Sequence, residues 1–211
     1  MKRIHDMPFG ARSLANGGAI FRLWAPGAKT VDLVLEGVAA DRSMNAAEGG
    51  WYELEVDKAA PGARYGFRID GDVVVPDPAS RSNPEDVHKP SALVDPLAFA
   101  WPDDGWRGRP WHEAVIYELH VGTFSREGTF LGAIAQLDDL VKLGVTAIEL
   151  MPCADFPGTR GWGYDGVLLY APEASYGTPD DLKRLVAAAH ERGLMVFMDV
   201  VYNHFGPDGN Y

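Results

Sequence analysis

The sequence predicts a chain in two parts, an antiparallel β sandwich followed by a parallel α/β array. Three observations carry this expectation. Through the first hundred residues apolar and polar side chains alternate in short runs closed by Gly, Pro and Asp, the period of two that marks half-buried strands. Residues 76–112 then show little periodicity and fill with Pro and Gly. From Glu113 onward, strand-like runs alternate with runs of helical period, the rhythm of βαβ units.

In order, "AIFRLWAP" puts Ile20, Arg22 and Trp24 on one parity and Phe21 and Leu23 on the other. "TVDLVLEG" and "WYELEV" repeat the pattern, and Trp24 and Trp51 are read as core. "RYGFRIDGDVVV" is a hairpin whose Asp70-Gly71 pair suits the twist of paired strands. The aperiodic passage holds Trp101, Trp106 and Trp111, side chains that gain too much from burial to stay in water. It is therefore expected to be an ordered crossover packed on the second part. "AVIYELHV" is the next strand, and "TFLGAIAQLDDLVKLG" a single helix with apolar positions 131, 134, 137, 140, 141 and 143, stopped at Gly144. "VTAIELMP" is a strand. "TPDDLKRLVAAAHERG" is a helix with Thr178 as N-cap, Pro179 in its first turn and Gly193 at its end. "LMVFMDVV" is the last strand.

The 211 residues suffice for one or two domains. A formal net charge of −11 argues against a nucleic-acid partner, because phosphate recognition needs a concentrated basic surface. The opening "MKRIHDMPFG" has two basic residues without an apolar stretch behind them, so no secretory signal is expected. No apolar run is long enough for a bilayer, and no membrane partner is expected. The single cysteine, Cys153, leaves no intrachain disulfide framework. A reducing, cytoplasmic location is the expectation, with Cys153 a small buried hydrophobe.

The stretches "VIYELHVGTF", "GVTAIELMP", "GWGYDG" and "DVVYNH", in this order, resemble the α-amylase superfamily of glycoside hydrolases. The last matches that superfamily's first signature, at the end of the third barrel strand. "FRLWAPGAK" resembles the all-β module preceding the barrel in branching, debranching and trehalose-forming relatives. "VVPDPASRSNPEDVHKPSALVDP" is most similar to the trehalohydrolase branch, whose members release trehalose from maltooligosyltrehalose. The resemblance implies an N-terminal immunoglobulin-like sandwich followed by the first three β/α units of a TIM (β/α)8 barrel, truncated. The expected domains are a carbohydrate-binding-like module at 1–97, a Trp-rich ordered linker at 98–112 and the start of the barrel at 113–211. Such a barrel takes about 250 residues, and only about a hundred follow Glu113.

The same resemblance assigns roles residue by residue. Tyr164 matches the tyrosine that stacks on the glucose beside the cleavage point, Trp162 is a candidate for lining that pocket, and His204 matches the histidine that bonds a hydroxyl of that glucose. Asp199 and Asn203 match supporting positions; in some α-amylases the latter ligates calcium, but one ligand makes no site. No metal and no cofactor are expected. Retaining hydrolysis needs two carboxyl groups about 5 Å apart, and the superfamily's three catalytic carboxylates follow strands expected beyond Tyr211. Asp155, Asp165 and Asp208 lie near strand ends, yet nothing in the sequence pairs them, and the last two are read as turn or capping residues. Glu118, His120 and Glu149 interrupt apolar strands and are read as polar groups of a barrel interior.

These roles describe part of a retaining α-glycosidase acting on maltooligosyltrehalose or a related α-glucan, with the 211-residue chain inactive alone. The alternatives are a fragment of a glycogen branching enzyme, or a non-catalytic glucan-binding protein using exposed aromatics. Three open parallel strands would leave apolar faces uncovered, so the isolated chain is expected either to self-associate through them or to carry a partly disordered C-terminal half on a folded sandwich.

Overall fold

A computed structural model describes residues 7–102 and 105–211. The opening Met1–Asp6, part of the segment read as carrying no leader, lies outside the described residues, as do Asp103 and Asp104 of the Trp-rich passage. The described residues divide into two compact units: residues 7–98 together with 168–171 and Tyr211, and residues 99–167 with 172–210.

Among the described residues, the stretch of the first unit up to Ala98 holds nine short strands: β1 (Arg12–Ser13), β2 (Ala19–Trp24), β3 (Val31–Leu35), β4 (Arg42–Ser43), β5 (Asn45–Ala47), β6 (Trp51–Val56), β7 (Arg64–Ile69), β8 (Val74–Val75) and β9 (Ser91–Ala92). They form two sheets, β1-β2-β6-β5 and β4-β3-β7-β8 with β9 also on β7. Every pairing in them is antiparallel. Alternation decides which side faces in. Phe21 and Leu23 of β2, Leu33 and Leu35 of β3 and Tyr65 and Phe67 of β7 share one buried cluster, and Phe21 meets Tyr65 edge-on at 4.9 Å. The Asp70-Gly71 turn has positive φ at both residues, the geometry an Asp-Gly hairpin turn requires. The Asp70 carboxylate also accepts the backbone N–H groups of Lys29 and Thr30 at 2.7 and 2.8 Å. Those bonds hold its carboxyl below the ordinary range.

Trp24 corrects the reading of it as core. Since Phe21 and Leu23 face inward, Trp24 must face out with Arg22, and it is 59% exposed. Its indole N–H donates to the Gly49 carbonyl at 2.9 Å. Trp51, directly across from it, is half-buried beneath the Arg22 guanidinium, 4.4 Å from the ring centre.

The second unit is a three-stranded parallel sheet with helices on one face. Its elements are β10 (Ile116–Leu119), α1 (Val121–Phe124), α2 (Phe130–Ile134), α3 (Leu137–Leu143), β11 (Ala147–Leu150), β12 (Ala154–Asp155), β13 (Leu168–Pro172, mostly grouped with the first unit), α4 (Pro179–Glu191) and β14 (Met195–Met198). The order is β10-β11-β14, with Glu118, Glu149 and Phe197 in register. Leu119, Ile148 and Leu150 pack into one core with Phe130, Leu137, Leu140, Leu185 and Ala189 of the helices. The alternate residues Glu118 and Glu149 therefore face the other side of the sheet.

The helix expected from 129 to 144 is two helices. The backbone turns at Ala135 and Gln136, bringing Phe130, Ala133, Leu137 and Leu140 inward and leaving Leu131, Val141 and Leu143 exposed. A face counted at constant period across that break selects partly the wrong residues. Gly144 caps α3 with a left-handed φ of 93°. At α4, Thr178 and Asp181 exchange side-chain and backbone bonds in a capping box, with Pro179 in the first turn. In the connecting passage Trp106 stacks on His190 at 4.6 Å; Trp111 meets Phe197 edge-on at 5.9 Å but stays 71% exposed, against the expectation of burial, because only one ring edge finds a partner. Among the described residues no helix is long and apolar enough to cross a membrane.

Candidate functional site

The site forms where the loop after β12 meets the loop after β14. The β14 strand continues its ladder one residue further, Asp199 N–H donating to the Leu150 carbonyl at 2.9 Å. That bond carries the Asp199 carboxylate to the sheet's end, where the Tyr164 hydroxyl donates to its Oδ2 at 3.3 Å. From the following loop, His204 Nε2 lies 2.8 Å from the Tyr164 carbonyl. A carbonyl only accepts, so Nε2 carries the proton and, in the neutral ring, Nδ1 is bare. Nδ1 lies 3.1 Å from the Asn203 side-chain oxygen, itself an acceptor, so the contact is a hydrogen bond to the bare nitrogen only with the amide turned to bring its NH2 there.

Two glycines let the backbone close up here, Gly163 onto the turn before β12 and Gly206 onto the loop after it. A side chain at Gly163 would lie 1.9 Å from the Pro152 carbonyl oxygen, and its φ of +92° already disfavours one. A Cβ at Gly206 would lie 2.0 Å from the Asp165 carbonyl oxygen. The Gly206 N–H instead donates to Gly166 at 3.1 Å, so the loops are joined at both Tyr164 and Gly166.

The result is an aromatic platform beside a carboxylate. Trp162 is 78% exposed and Tyr164 38% exposed. Partial burial first, then the charge and hydrogen bond of Asp199, then the charges of Glu118 and Glu149 hold the Tyr164 phenol above its ordinary value. The hydroxyl therefore stays protonated and donating. Flat rings of this kind suit the C–H face of a pyranose while adjacent polar groups meet its hydroxyls.

All five residues singled out from the sequence lie in these two loops and the adjoining strand end: Trp162, Tyr164, Asp199, Asn203 and His204. The imidazole of His204 spends its Nε2 proton on the Tyr164 carbonyl, where a sugar hydroxyl was expected. Asn203 stands beside His204, and among the described residues no group of three or more His, Cys, Asp or Glu side chains could hold a metal ion. Asp155 is buried away from this surface, accepting the Ala174 N–H at 3.1 Å; Asp165 and Asp208 are exposed. Sequence reasoning did not connect Glu118 and Glu149 with Tyr164, nor His120 with the site loop. The only signal was their polar character inside apolar strands.

The chain's residues 66–211 match the family model for the alpha-amylase catalytic domain, and residues 8–96 match carbohydrate-binding module 48, the isoamylase N-terminal domain. A malto-oligosyltrehalose trehalohydrolase from Deinococcus radiodurans is 52% identical over 96% of this chain and 33% of its own length. The same-named protein of Saccharolobus solfataricus is 47% identical over 97% of this chain and 36% of its own. A 1,4-alpha-glucan branching enzyme from Xanthomonas oryzae is 33% identical over 92% and 29%. Among solved structures, a Salmonella typhimurium protein described as an alpha amylase superposes with a TM-score of 0.95 at 52% identity, over 98% of this chain and 35% of that one. Apo pullulanase from Paenibacillus barengoltzii gives 0.81 at 30%, over 95% and 38%. The chain thus spans about a third of the length of these relatives. With a catalytic-domain match over most of its residues, the chain belongs to the alpha-amylase family, carrying a carbohydrate-binding module 48 ahead of part of the catalytic domain.

Proposed function

We propose that this chain is the N-terminal part of a retaining glycoside hydrolase that releases trehalose from maltooligosyltrehalose by cleaving the α-1,4 bond next to the trehalose end. The observation that carries the reading is the joining of Tyr164, Asp199 and His204 at one end of a parallel sheet, within a chain about half identical to trehalohydrolases. Tyr164 stacks on one glucose, Trp162 extends the platform, and His204 with Asn203 sets the angle of the tyrosine. Asp199 orients the phenol. In the longer protein the nucleophile, acid/base and stabilising carboxylates follow Tyr211, and the 211-residue chain binds glucan without turnover.

The finer architecture belongs to the same reading. Over the described residues, the module at 1–97 is an immunoglobulin-like sandwich, 98–112 an ordered linker and 113–211 the first three units of a (β/α)8 barrel in a cytoplasmic enzyme. Ile116 and Tyr117 on β10 and Met198 and Val200 at β14 are exposed on edge strands. That exposure supports self-association of the isolated chain, because parallel sheets are ordinarily covered. The higher identity to trehalohydrolases than to the branching enzyme favours the former. A purely glucan-binding role is favoured by one observation, the outward-facing Trp24 of the module.

The test is titration of the 211-residue chain with maltooligosyltrehalose, alongside an assay of released trehalose. Saturable binding that Tyr164→Ala weakens about tenfold, with no trehalose formed, is the expected result. Trehalose release by the pure chain, or binding indifferent to both Tyr164→Ala and Trp162→Ala, overturns the reading. Loss of binding on Trp24→Ala alone favours the module as the binding element.

A further inference from the structure

His120 closes β10 and stands at the N-terminal cap position of α1, its carbonyl accepting the N–H groups of Thr123 and Phe124 at 3.0 and 2.9 Å. Its side chain does not enter the helix. The ring reaches across to the loop that bears the aromatic platform, with Nε2 at 2.8 Å from the Gly161 carbonyl. That carbonyl only accepts, so the proton sits on Nε2 and Nδ1 is bare. Thr123 supplies the donor Nδ1 needs, its hydroxyl at 3.2 Å. The Tyr176 hydroxyl, 3.1 Å from Nε2, shares the same proton as a second acceptor.

The ring is held from the core side as well. Tyr176 is buried and meets the imidazole edge-on at 5.8 Å, and its ring is lodged against Phe130 and Phe156. Gly122 keeps that space open, since a Cβ there would come within 2.9 Å of Tyr176 and 3.0 Å of the His120 ring. At the other end of the bond, a Cβ on Gly161 would press on the Phe156 ring at 3.0 Å. A chain of contacts thus runs from the buried core through Tyr176 and His120 to the backbone of Gly161, one residue before Trp162.

We propose that His120 is a positioning residue for the aromatic platform. Its Nε2–H fixes the carbonyl of Gly161, while His204 fixes the carbonyl of Tyr164, and Trp162 and Tyr164 are presented between these two imidazole anchors. The anchoring rests on the geometry alone; only its purpose, ordering rings for a pyranose, rests on the glucan reading above. A platform held at one end only would leave Trp162 sampling many orientations, each of which a ligand would have to select against.

Nuclear magnetic resonance on the 211-residue chain tests this without any sugar, so its outcome is separate from that of the glucan titration. Ring 15N shifts of the unaltered chain are expected to show the Nε2–H tautomer at His120; the Nδ1–H tautomer would sink the proposal whatever any variant does. Backbone order parameters at Gly161–Tyr164 are expected near 0.85 in the unaltered chain and below about 0.6 in His120→Ala. His120→Gln, whose amide nitrogen lies near the imidazole Nε2 position, is expected to restore them, and His120→Asn, matching the Nδ1 side, is not. A role confined to packing predicts equal loss in Gln and Asn, and that pattern rejects positioning, as does an unchanged loop in His120→Ala. If His120→Ala fails to fold, Thr123→Val serves. Removing the donor to Nδ1 is expected to shift the ring nitrogens toward the other tautomer and lower loop order, and no change in either refutes the anchoring.

Discussion

Gly206→Ala is the sharpest test of the loop junction. The added methyl would sit 2.0 Å from the Asp165 carbonyl oxygen and 2.7 Å from its carbon. An ordinary carbon–oxygen contact is about 3.3 Å, so one loop must retreat by roughly 1.3 Å. Such a retreat stretches the 3.1 Å bond from Gly206 N–H to Gly166 to as much as roughly 4.4 Å, beyond hydrogen-bond range. It also strains the 2.8 Å bond from His204 to Tyr164. Two hydrogen bonds at about 1 kcal/mol each, with about 1–3 kcal/mol of overpacking, make a local cost of about 3–5 kcal/mol. The assay is hydrogen exchange at the Gly206 amide together with maltooligosaccharide titration. Protection at that amide is expected to vanish and affinity to fall about tenfold or more. Gly158→Ala is the control: its φ is left-handed, at +84°, where that of Gly206 is not, but nothing lies within 4 Å of the new methyl. It should cost about 1 kcal/mol of strain and leave binding alone. Intact protection at Gly206 with unchanged affinity would refute the steric argument.

Three further outcomes are expected. Burial pushes the Asp77 carboxyl up to about 6 despite hydrogen bonds from Tyr65, Ala79 and Ala11 that favour its charge. The folded unit therefore binds that proton more tightly than the unfolded chain does. The resulting stability is full below the unfolded value of 3.8 and is lost as pH rises through about 6, by up to about 3 kcal/mol. Subtracting the urea-denaturation profile of Asp77→Asn from that of the unaltered chain should isolate this slope, and a flat difference between pH 4 and 7 contradicts it. Thr178→Ala removes half the capping box of α4 and should lower stability by about 1 kcal/mol in the same assay; an unshifted midpoint denies the cap its role. The Cys153 thiol is raised to about 12, first by burial and then by the Glu173 charge. A disulfide reagent at pH 8 should leave it unmodified until denaturant is added, and rapid native labelling would count against the buried placement.

Residue pattern alone settled much of this protein. Alternation at Phe21, Leu23, Leu33 and Leu35 chose the inner faces of the antiparallel sheets, because side-chain direction in a strand is fixed by parity. Thr178, Pro179 and Gly144 placed helix ends because capping is a local matter of a few backbone groups. The motifs "GWGYDG" and "DVVYNH" brought the candidate site residues into view through their resemblance to the α-amylase superfamily, which short local stretches are enough to carry. Other features required the folded chain. The break at Ala135–Gln136 depends on which apolar residues the sheet can accept, and no periodicity within the segment records it. Trp24 lies outside because its strand neighbours won the core. Above all, His204 binds the Tyr164 carbonyl and His120 the Gly161 carbonyl across 40 and 41 residues of sequence. Backbone carbonyls are chemically alike at every position, so sequence cannot say which one an imidazole will meet; only the packing of the loops decides it.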